Sequence, residues 1–201
     1  MSSAGTTVEV FADITCPFTH VGLKRVADHA PSAEIIVRAW PLEWVNGQGL
    51  DVDAVAVKAR VLHDQLGIDE FTGLRPDRWP TTTIPALELA AAAYAQDAAT
   101  GLAVSLALRA ALFEEGRDIS DPAVLADIAR DHGVTAGDMR AAVDAEYADG
   151  RARGVSGSPH FWVGDDDYFC PALDIGHDAE NHLTARFDED GLARFFARID
   201  A

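Results

Sequence analysis

The sequence predicts an α/β protein in which strands near the two ends of the chain form a sheet and a large all-helical insertion separates them. Runs rich in β-branched and apolar residues occur at 7–11 and 34–40, and again at 160–163. From residue 51 to about 153, alanine, leucine and arginine recur with helical spacing and there is little strand signal. A chain of 201 residues can bury the core of one or two domains.

With 48% hydrophobic and 24% charged residues, the composition predicts an ordinary soluble protein. The net charge of −17 argues against nucleic acid or an anionic membrane surface as a partner, because both are negative. Residues 1–7 show no signal-peptide pattern and no window approaches a membrane span, so we expect a cytoplasmic location. Because the cytoplasm is reducing, the two cysteines are not expected to form a structural disulfide, and any disulfide they form is expected to be transient and catalytic.

The first strand leads directly into Cys16-Pro17-Phe18-Thr19. Pro17 suits the first turn of a helix, where its missing N–H leaves nothing unsatisfied. Cys16 therefore lies between the end of a strand and the start of a helix, where free N–H groups and the helix dipole stabilise a thiolate. A small buried cysteine is the alternative. We expect Cys16 to be a nucleophile.

The remaining elements follow from periodicity, caps and breakers. A helix over 17–30 precedes the strand at 34–40, which ends before Pro41. Further helices are predicted over 51–66, 83–94, 102–113, 121–132 and from 135 onward, with Thr83 as a cap. The segment 102–113 is apolar around most of its circumference and is expected at the centre of a bundle. A hairpin tip at 164–167, a strand at 168–170, an irregular stretch to 182 and a helix over 188–199 complete the chain.

A second motif precedes the strand at 160–163. Gly154-Val155-Ser156-Gly157-Ser158-Pro159 is a glycine-rich turn that ends in a proline. No Gly-Lys-Ser/Thr follows, so it is not a phosphate-binding loop.

Together the two motifs resemble the DsbA-like branch of the thioredoxin superfamily, which includes FrnE-type oxidoreductases, 2-hydroxychromene-2-carboxylate isomerases and kappa glutathione transferases. Members begin with a strand, an acidic residue and Cys-Pro-x-Cys or a serine version, and later carry Gly-Val-x-Gly-x-Pro before a strand. The resemblance implies a thioredoxin-like domain over 6–46 and 154–201 and a helical insertion domain over 51–153. It also implies a cis Ser158–Pro159 bond against Cys16, with the Ser158 backbone pairing with an extended thiol substrate.

The resemblance further implies that Pro17, Phe18 and His160 line the substrate site beside Ser158 and Pro159. His160 lies directly after the proline, and its part in the chemistry is left open.

The chain departs from the family pattern at Thr19, which stands where a second cysteine would resolve a mixed disulfide. Its hydroxyl could donate to the Cys16 thiolate or bond back to a helix carbonyl. Resolution must then come from a small thiol, a partner protein or Cys170. His20, four residues after Cys16, is either a proton shuttle that favours the thiolate or a hydrogen-bonded packing residue.

Cys170 is the candidate resolving thiol. The family's strand order places it two inter-strand steps from Cys16, about 10 Å away, whereas a disulfide needs Cα atoms within roughly 7 Å. We expect no resting disulfide, and a buried, inert Cys170 is the alternative. His177 and His182 lack a recognisable metal-ligand spacing, so no metal site is predicted.

Three functions are consistent with these residues: a monothiol thiol–disulfide oxidoreductase, a thiol-dependent transferase or isomerase of the kappa glutathione transferase type, and a binding or chaperone-like protein without turnover. The expected partner is a small thiol or a disulfide-containing substrate. No tightly bound cofactor is predicted, but a low-molecular-weight thiol such as glutathione or mycothiol would serve the first two. A homodimer is left open.

Overall fold

A computed structural model describes residues 6–30 and 32–201. The interpretation of the N-terminus rests mainly on residues 1–5, which lie outside the described residues. The chain forms a mixed four-stranded sheet in the order β2-β1-β3-β4. The strands are β1 (Thr7–Ala12), β2 (Glu34–Ala39), β3 (His160–Val163) and β4 (Asp166–Phe169).

The strand pairing brings the two ends of the chain together. β1 runs parallel to β2 and antiparallel to β3, with Val8 opposite Val163, while β4 pairs antiparallel with β3. The predicted mixed sheet and the adjacency of the strands carrying Val8 and Val163 are confirmed. Side chains alternate across the sheet: Val10 and Phe161 belong to the core on one face, and Phe11 and Trp162 to a cluster on the other.

Eight helices belong to the described residues: α1 (Pro17–His29), α2 (Leu42–Val45), α3 (Val52–Leu66), α4 (Ile84–Tyr94), α5 (Ala98–Phe113), α6 (Pro122–Asp131), α7 (Arg140–Ala152) and α8 (Glu189–Ile199). Leu23 of α1 and Phe195 of α8 join the core on the first face of the sheet. Helices α3 to α7 follow β2 without an intervening strand, so the all-helical insertion is confirmed. Its division from the rest of the chain as a separate domain stays a prediction.

The insertion is centred on α5, whose Val104, Leu108 and Leu112 are buried, as its apolar circumference predicts. Helices α3, α5 and α6 begin at aspartates whose side chains accept a main-chain N–H, namely Asp51, Asp97 and Asp121.

Several elements differ from the sequence predictions. Thr83 precedes α4 but makes no capping hydrogen bond with its side chain. The last helix of the insertion begins at Arg140 and not at residue 135. In the hairpin, Asp166 and Asp167 lie in β4, so the turn is shorter than predicted, and Cys170 follows the strand instead of ending it.

The segment predicted to be irregular contains a hairpin. β5 (Leu173–His177) pairs antiparallel with β6 (Leu183–Phe187) as a separate two-stranded sheet. These strands are short and partly polar, so their own sequence is a weak signal. Tertiary contacts support them, since the Ala185 N–H donates to Gln65 Oε1 on α3 at 2.7 Å.

His177 and His182, which the sequence analysis considered as metal ligands, lie at the turn between β5 and β6 with aspartates beside them. Asp178 Oδ1 accepts the main-chain N–H of Glu180 and of His182, which closes the hairpin turn. Across residues 6–30 and 32–201, no group of three or more His, Cys, Asp or Glu side chains is arranged to hold a metal ion. None of the described helices is long and apolar enough to cross a membrane.

Candidate active site

Cys16 lies where β1 gives way to α1. It is the N-cap residue of α1, with extended backbone angles, and Pro17 occupies the first turn. Its side chain is only 4% exposed. The sulfur is therefore beside the unpaired N–H groups of the helix start and is largely shielded from solvent.

The glycine-rich loop lies directly against this cysteine. The Ser158–Pro159 peptide bond is cis, as predicted. Cys16 Sγ donates a hydrogen bond to the Ser158 carbonyl oxygen at 3.0 Å. A Cβ at Gly22 of α1 would lie 3.8 Å from the Pro159 Cγ, so the proline ring packs on the helix. The predicted meeting of the two motifs is present.

The Ser158 hydroxyl connects the loop to both ends of the cysteine segment. Its Oγ accepts the Asp13 N–H at 2.9 Å and pairs with Thr19 Oγ1 at 2.7 Å. Thr19 thus uses neither of the two partners considered from the sequence, the thiolate and a helix carbonyl. Its hydroxyl contributes to holding Ser158 in place, and a direct role for Thr19 in the chemistry stays a prediction.

Asp13 is a buried carboxylate that fixes the turn before Cys16. Oδ1 accepts from the N–H and the hydroxyl of Thr15, at 2.7 and 2.5 Å. Oδ2 accepts from the Leu42 N–H at 2.8 Å and from the Thr83 hydroxyl at 3.3 Å. One carboxylate therefore joins the cysteine turn to the exit of β2 and the start of α4. Sequence reasoning did not select Asp13, although the family pattern of an acidic residue before the cysteine offered a signal.

Arg109 is a second buried charge near the site that sequence reasoning missed. It lies in the middle of α5 and is fully buried. Its Nη1 donates to the Ser105 carbonyl at 2.8 Å and its Nη2 to the Asp13 carbonyl at 3.4 Å. Burial lowers the pKa of Arg109 to about 10, and the nearby acidic groups of Asp13, Tyr94 and Cys16 oppose that shift. No local pattern marks an arginine in an apolar helix as a site residue.

His20 is buried among aromatic rings. Its ring stacks on Phe113 at 5.0 Å between centroids and meets Phe71 edge-on at 5.6 Å. Nε2 lies 3.1 Å from Glu114 Oε1 and 3.2 Å from the Glu70 carbonyl. Burial lowers the pKa of His20 to about 4, against the opposing charge of Glu114. The ring is therefore neutral near pH 7, which disfavours the imidazolium role; none of the hydrogen bonds found in the described chain joins it to Cys16.

His160 is also buried and is held within its own hairpin. Nδ1 accepts the Ser156 N–H at 3.3 Å, which places the proton on Nε2, and Nε2 donates to Asp167 Oδ2 at 2.9 Å. The ring contacts Trp162 at 4.0 Å between centroids. These contacts hold the start of β3 beside the cis-proline loop.

Cys170 is a buried free thiol next to the same loop. Its N–H donates to the Pro159 carbonyl at 3.1 Å. Its backbone is left-handed, with φ of 46°, which is strained for a residue with a side chain. Burial raises the pKa of Cys170 to about 12, and the charge of Cys16 adds to this effect. Neither cysteine is in a disulfide in this structure, and the absence of a resting bond between them stays a prediction.

Two aromatic side chains flank the site. Phe18 is half-buried and packs on the insertion core, with Lys58 Nζ 5.9 Å from its ring centroid. Phe169, at the end of β4, is 57% exposed, and a Cβ at Gly157 would lie 2.9 Å from its ring. Sequence reasoning selected Phe18 and missed Phe169, whose exposure depends on the hairpin.

A cysteine at a helix start, opposed by a cis proline that directly precedes a neighbouring strand, is the arrangement of a thioredoxin-like protein. The family profile of the DSBA-like thioredoxin domain matches residues 7–183. The chain belongs to this family of DsbA-like thiol–disulfide oxidoreductases. A comparison with curated protein sequences finds no match.

Solved structures of the same fold are distant in sequence. The cytosolic disulfide reductase DsbM from Pseudomonas aeruginosa is 17% identical, with 96% of this chain and 98% of that chain covered and a TM-score of 0.59. The same protein with GSH is 18% identical, with 97% and 100% covered and a TM-score of 0.57. A 2-hydroxychromene-2-carboxylate isomerase is 16% identical, with 81% and 88% covered and a TM-score of 0.59. These similarities show the fold.

Proposed function

We propose that the chain is a thiol–disulfide oxidoreductase that works by a monothiol mechanism through Cys16. The observation that carries the proposal is the 3.0 Å contact of Cys16 Sγ with the Ser158 carbonyl, in a site where Thr19 occupies the second-cysteine position. The motif thus contains a nucleophile and no resolving thiol of its own.

In the first step the Cys16 thiolate attacks a substrate disulfide formed with a small thiol. A bond forms between Cys16 and the small thiol's sulfur, the substrate S–S bond breaks, and the substrate leaves as a thiolate. Cys16 Sγ then has no proton to donate, so the Ser158 carbonyl becomes free to accept an N–H from an extended substrate. A second small-thiol anion attacks the small-thiol sulfur, releases a small-molecule disulfide and restores the Cys16 thiolate.

Resolution by an external thiol is favoured over resolution by Cys170. Burial raises the pKa of Cys170 to about 12, so very little of it is thiolate near pH 7. Since the thiolate is the attacking species, a small thiol in solution reacts faster. Glutathione is the first candidate, because the DsbM structure with GSH shows that a protein of this fold accommodates it. The cytosolic character of DsbM likewise supports a cytoplasmic location here.

Intact mass spectrometry tests the proposal. Reduced protein is incubated with the disulfide of glutathione and, separately, with that of mycothiol. We expect one small-thiol adduct on Cys16 that excess thiol removes, none in Cys16→Ser, and an unchanged adduct in Cys170→Ala. A Cys16–Cys170 linked peptide would assign resolution to Cys170. A Cys16 that forms no adduct with either disulfide would refute the oxidoreductase and favour a binding protein.

A second candidate is a thiol-dependent transferase or isomerase. A single cysteine at the helix start and the likeness to 2-hydroxychromene-2-carboxylate isomerase favour it. There the thiol of a bound glutathione would react and Cys16 would hold it without a covalent bond. Saturable binding of reduced glutathione without any disulfide adduct would support this alternative.

A further inference from the structure

The charge of Arg109 is not used in the mechanism above. Its guanidinium is fully buried, and taking an unpaired ion out of water costs several kcal/mol unless other charges offset the loss. Its hydrogen bonds go to two main-chain oxygens, and its Nε has no partner among the described residues. Among residues 6–30 and 32–201, no carboxylate forms a salt bridge with Arg109.

The titratable groups around Arg109 and Cys16 come from three parts of the chain: the cysteine turn with α1, helix α4, and the residue after β4. They are Asp13 before α1, His20 of α1, Tyr94 of α4, Cys170 after β4 and Cys16 itself. Burial raises the pKa of Tyr94 to about 12, so its phenol is neutral near pH 7. Cys170 is neutral for the same reason, and His20, with its pKa lowered to about 4, is neutral as well. Cys16 is therefore the group whose ionisation would add a second negative charge beside Arg109 and Asp13.

The immediate hydrogen bond of Cys16 opposes that ionisation. In the thiol form, Sγ donates to the Ser158 carbonyl at 3.0 Å. A thiolate has no proton to donate, and its negative charge would face a carbonyl oxygen at that distance. The start of α1 offsets this through its N–H groups. The two lysines of the chain make other contacts: Lys24 Nζ lies 3.0 Å from Glu114 Oε1, and Lys58 Nζ lies 5.9 Å from the centre of the Phe18 ring.

We propose that Arg109 is a positioning residue that favours the thiolate form of Cys16 by Coulomb attraction through the protein interior. The guanidinium reaches the cysteine turn, since its Nη2 lies 3.4 Å from the carbonyl oxygen of Asp13, three residues before Cys16. Because Arg109 is fully buried, its charge is poorly screened there and acts on Cys16 over a longer range than an exposed charge would. The inference rests on the proposed role of Cys16 as the nucleophile. It assigns the reactivity of that cysteine partly to the helical insertion, since Arg109 is carried by α5.

Alkylation of Cys16 by neutral iodoacetamide, measured against pH, tests the proposal. The neutral variant Arg109→Gln should react about tenfold more slowly than the wild type at about pH 7. Arg109→Lys keeps a positive charge and should recover most of that loss. All three rates should converge at high pH, where every Cys16 is ionised. Arg153→Gln is the matched control, because Arg153 is a half-buried arginine that pairs with Glu9 at 2.9 Å on another face of the sheet.

A rate for Arg109→Gln that equals the wild-type rate at all pH values would overturn the proposal. So would a loss that persists at high pH, since that would indicate altered access to the sulfur and not altered charge. If Arg109→Gln does not fold, wild-type alkylation is compared at low salt and in about 1 M NaCl, which screens exposed charges but not a buried one. An unchanged or faster rate supports Arg109, whereas a slower rate in salt would assign the effect to exposed cations and overturn it. Alkylation needs no turnover, so normal alkylation without disulfide exchange would refute the proposed function and leave this inference standing.

Discussion

The thiol of Cys16 donates to the carbonyl oxygen of Ser158, 142 residues further along the chain. The same serine uses its hydroxyl to accept the Asp13 N–H and to pair with Thr19. Ser158 therefore fixes the position of the cis-proline loop relative to the sulfur from two sides. Its hydroxyl hydrogen-bonds to Asp13 and Thr19, while its carbonyl oxygen faces the Cys16 sulfur.

Replacing Ser158 by alanine should separate these two effects. In Ser158→Ala the buried Asp13 N–H loses its acceptor, which should cost about 1–3 kcal/mol of unfolding free energy in a urea titration. The main-chain contact with Cys16 remains available, so adduct formation should slow without being abolished. Ser156→Ala is the control, because Ser156 is exposed and its hydroxyl lies 3.5 Å from His160 Nδ1. Equal stability of the two variants would contradict the role of the hydroxyl.

The buried, neutral His20 should make the protein less stable in mild acid. Its pKa is lowered from 6.5 to about 4 in the folded state, so the unfolded chain binds the proton more readily. Stability should therefore fall as the pH drops from about 6.5 towards about 4, by at most about 3 kcal/mol. Urea titrations across that range measure it.

In His20→Phe the slope over this pH range should flatten, since the aromatic contact with Phe113 is kept and the titrating group is lost. His63→Gln should leave the slope nearly unchanged, because His63 is exposed and solvent screens its charges. The same slope in His20→Phe and the wild type would rule His20 out as the source.

Two glycines in helix interiors should respond to alanine with opposite signs. A Cβ at Gly22 would meet Ala172 at 3.7 Å, an ordinary contact, so Gly22→Ala should gain about 0.5–1 kcal/mol from helix propensity. A Cβ at Gly150 of α7 would lie 2.8 Å from the ring of Trp40 and 2.9 Å from Phe11. Gly150→Ala should therefore destabilise the fold by about 1–3 kcal/mol. Thermal and urea unfolding measure both, and a shared sign would contradict this packing.

The two cysteines should differ sharply towards an aromatic disulfide reagent. Both thiols are buried, so ionisation and not exposure separates them: the pKa of Cys170 is raised to about 12, whereas the N–H groups at the start of α1 favour a Cys16 thiolate. The native protein should therefore release one equivalent of reporter thiol quickly and the denatured protein two. Cys170→Ala should retain the fast equivalent and Cys16→Ser should lose it. Two fast equivalents from the native protein would show that Cys170 is accessible and would restore it as a resolving thiol.

The parts of the site that the sequence predicts are those with a local signal. Pro17 marks the start of a helix, and the glycine-rich run before Pro159 marks a turn that feeds a strand. The partner of Thr19 was not predictable, because a hydroxyl can choose among several neighbours. Arg109 was hidden for another reason: its place in an apolar helix makes sense only once the end of β1 is seen beside it.

The left-handed conformation of Cys170 likewise depends on tertiary structure. Its N–H bond to Pro159 and the turn into β5 set it, and nothing in the neighbouring residues requires it. The β5–β6 hairpin escaped prediction because its strands are short and partly polar, and packing on α3 supplies what their own pattern lacks.

The carboxylate of Asp13 has a consequence for how this fold can be modified. Asp13 bonds to three segments that follow the cysteine turn. Its carboxylate accepts from the Leu42 N–H and the Thr83 hydroxyl, and its main-chain carbonyl accepts from Arg109. The segment that carries Cys16 therefore cannot be combined with an unrelated helical insertion and keep the same site. A chimera with the insertion of a distant relative would have to supply a hydroxyl and a cation at the positions of Thr83 and Arg109, or the buried Asp13 would lose these partners.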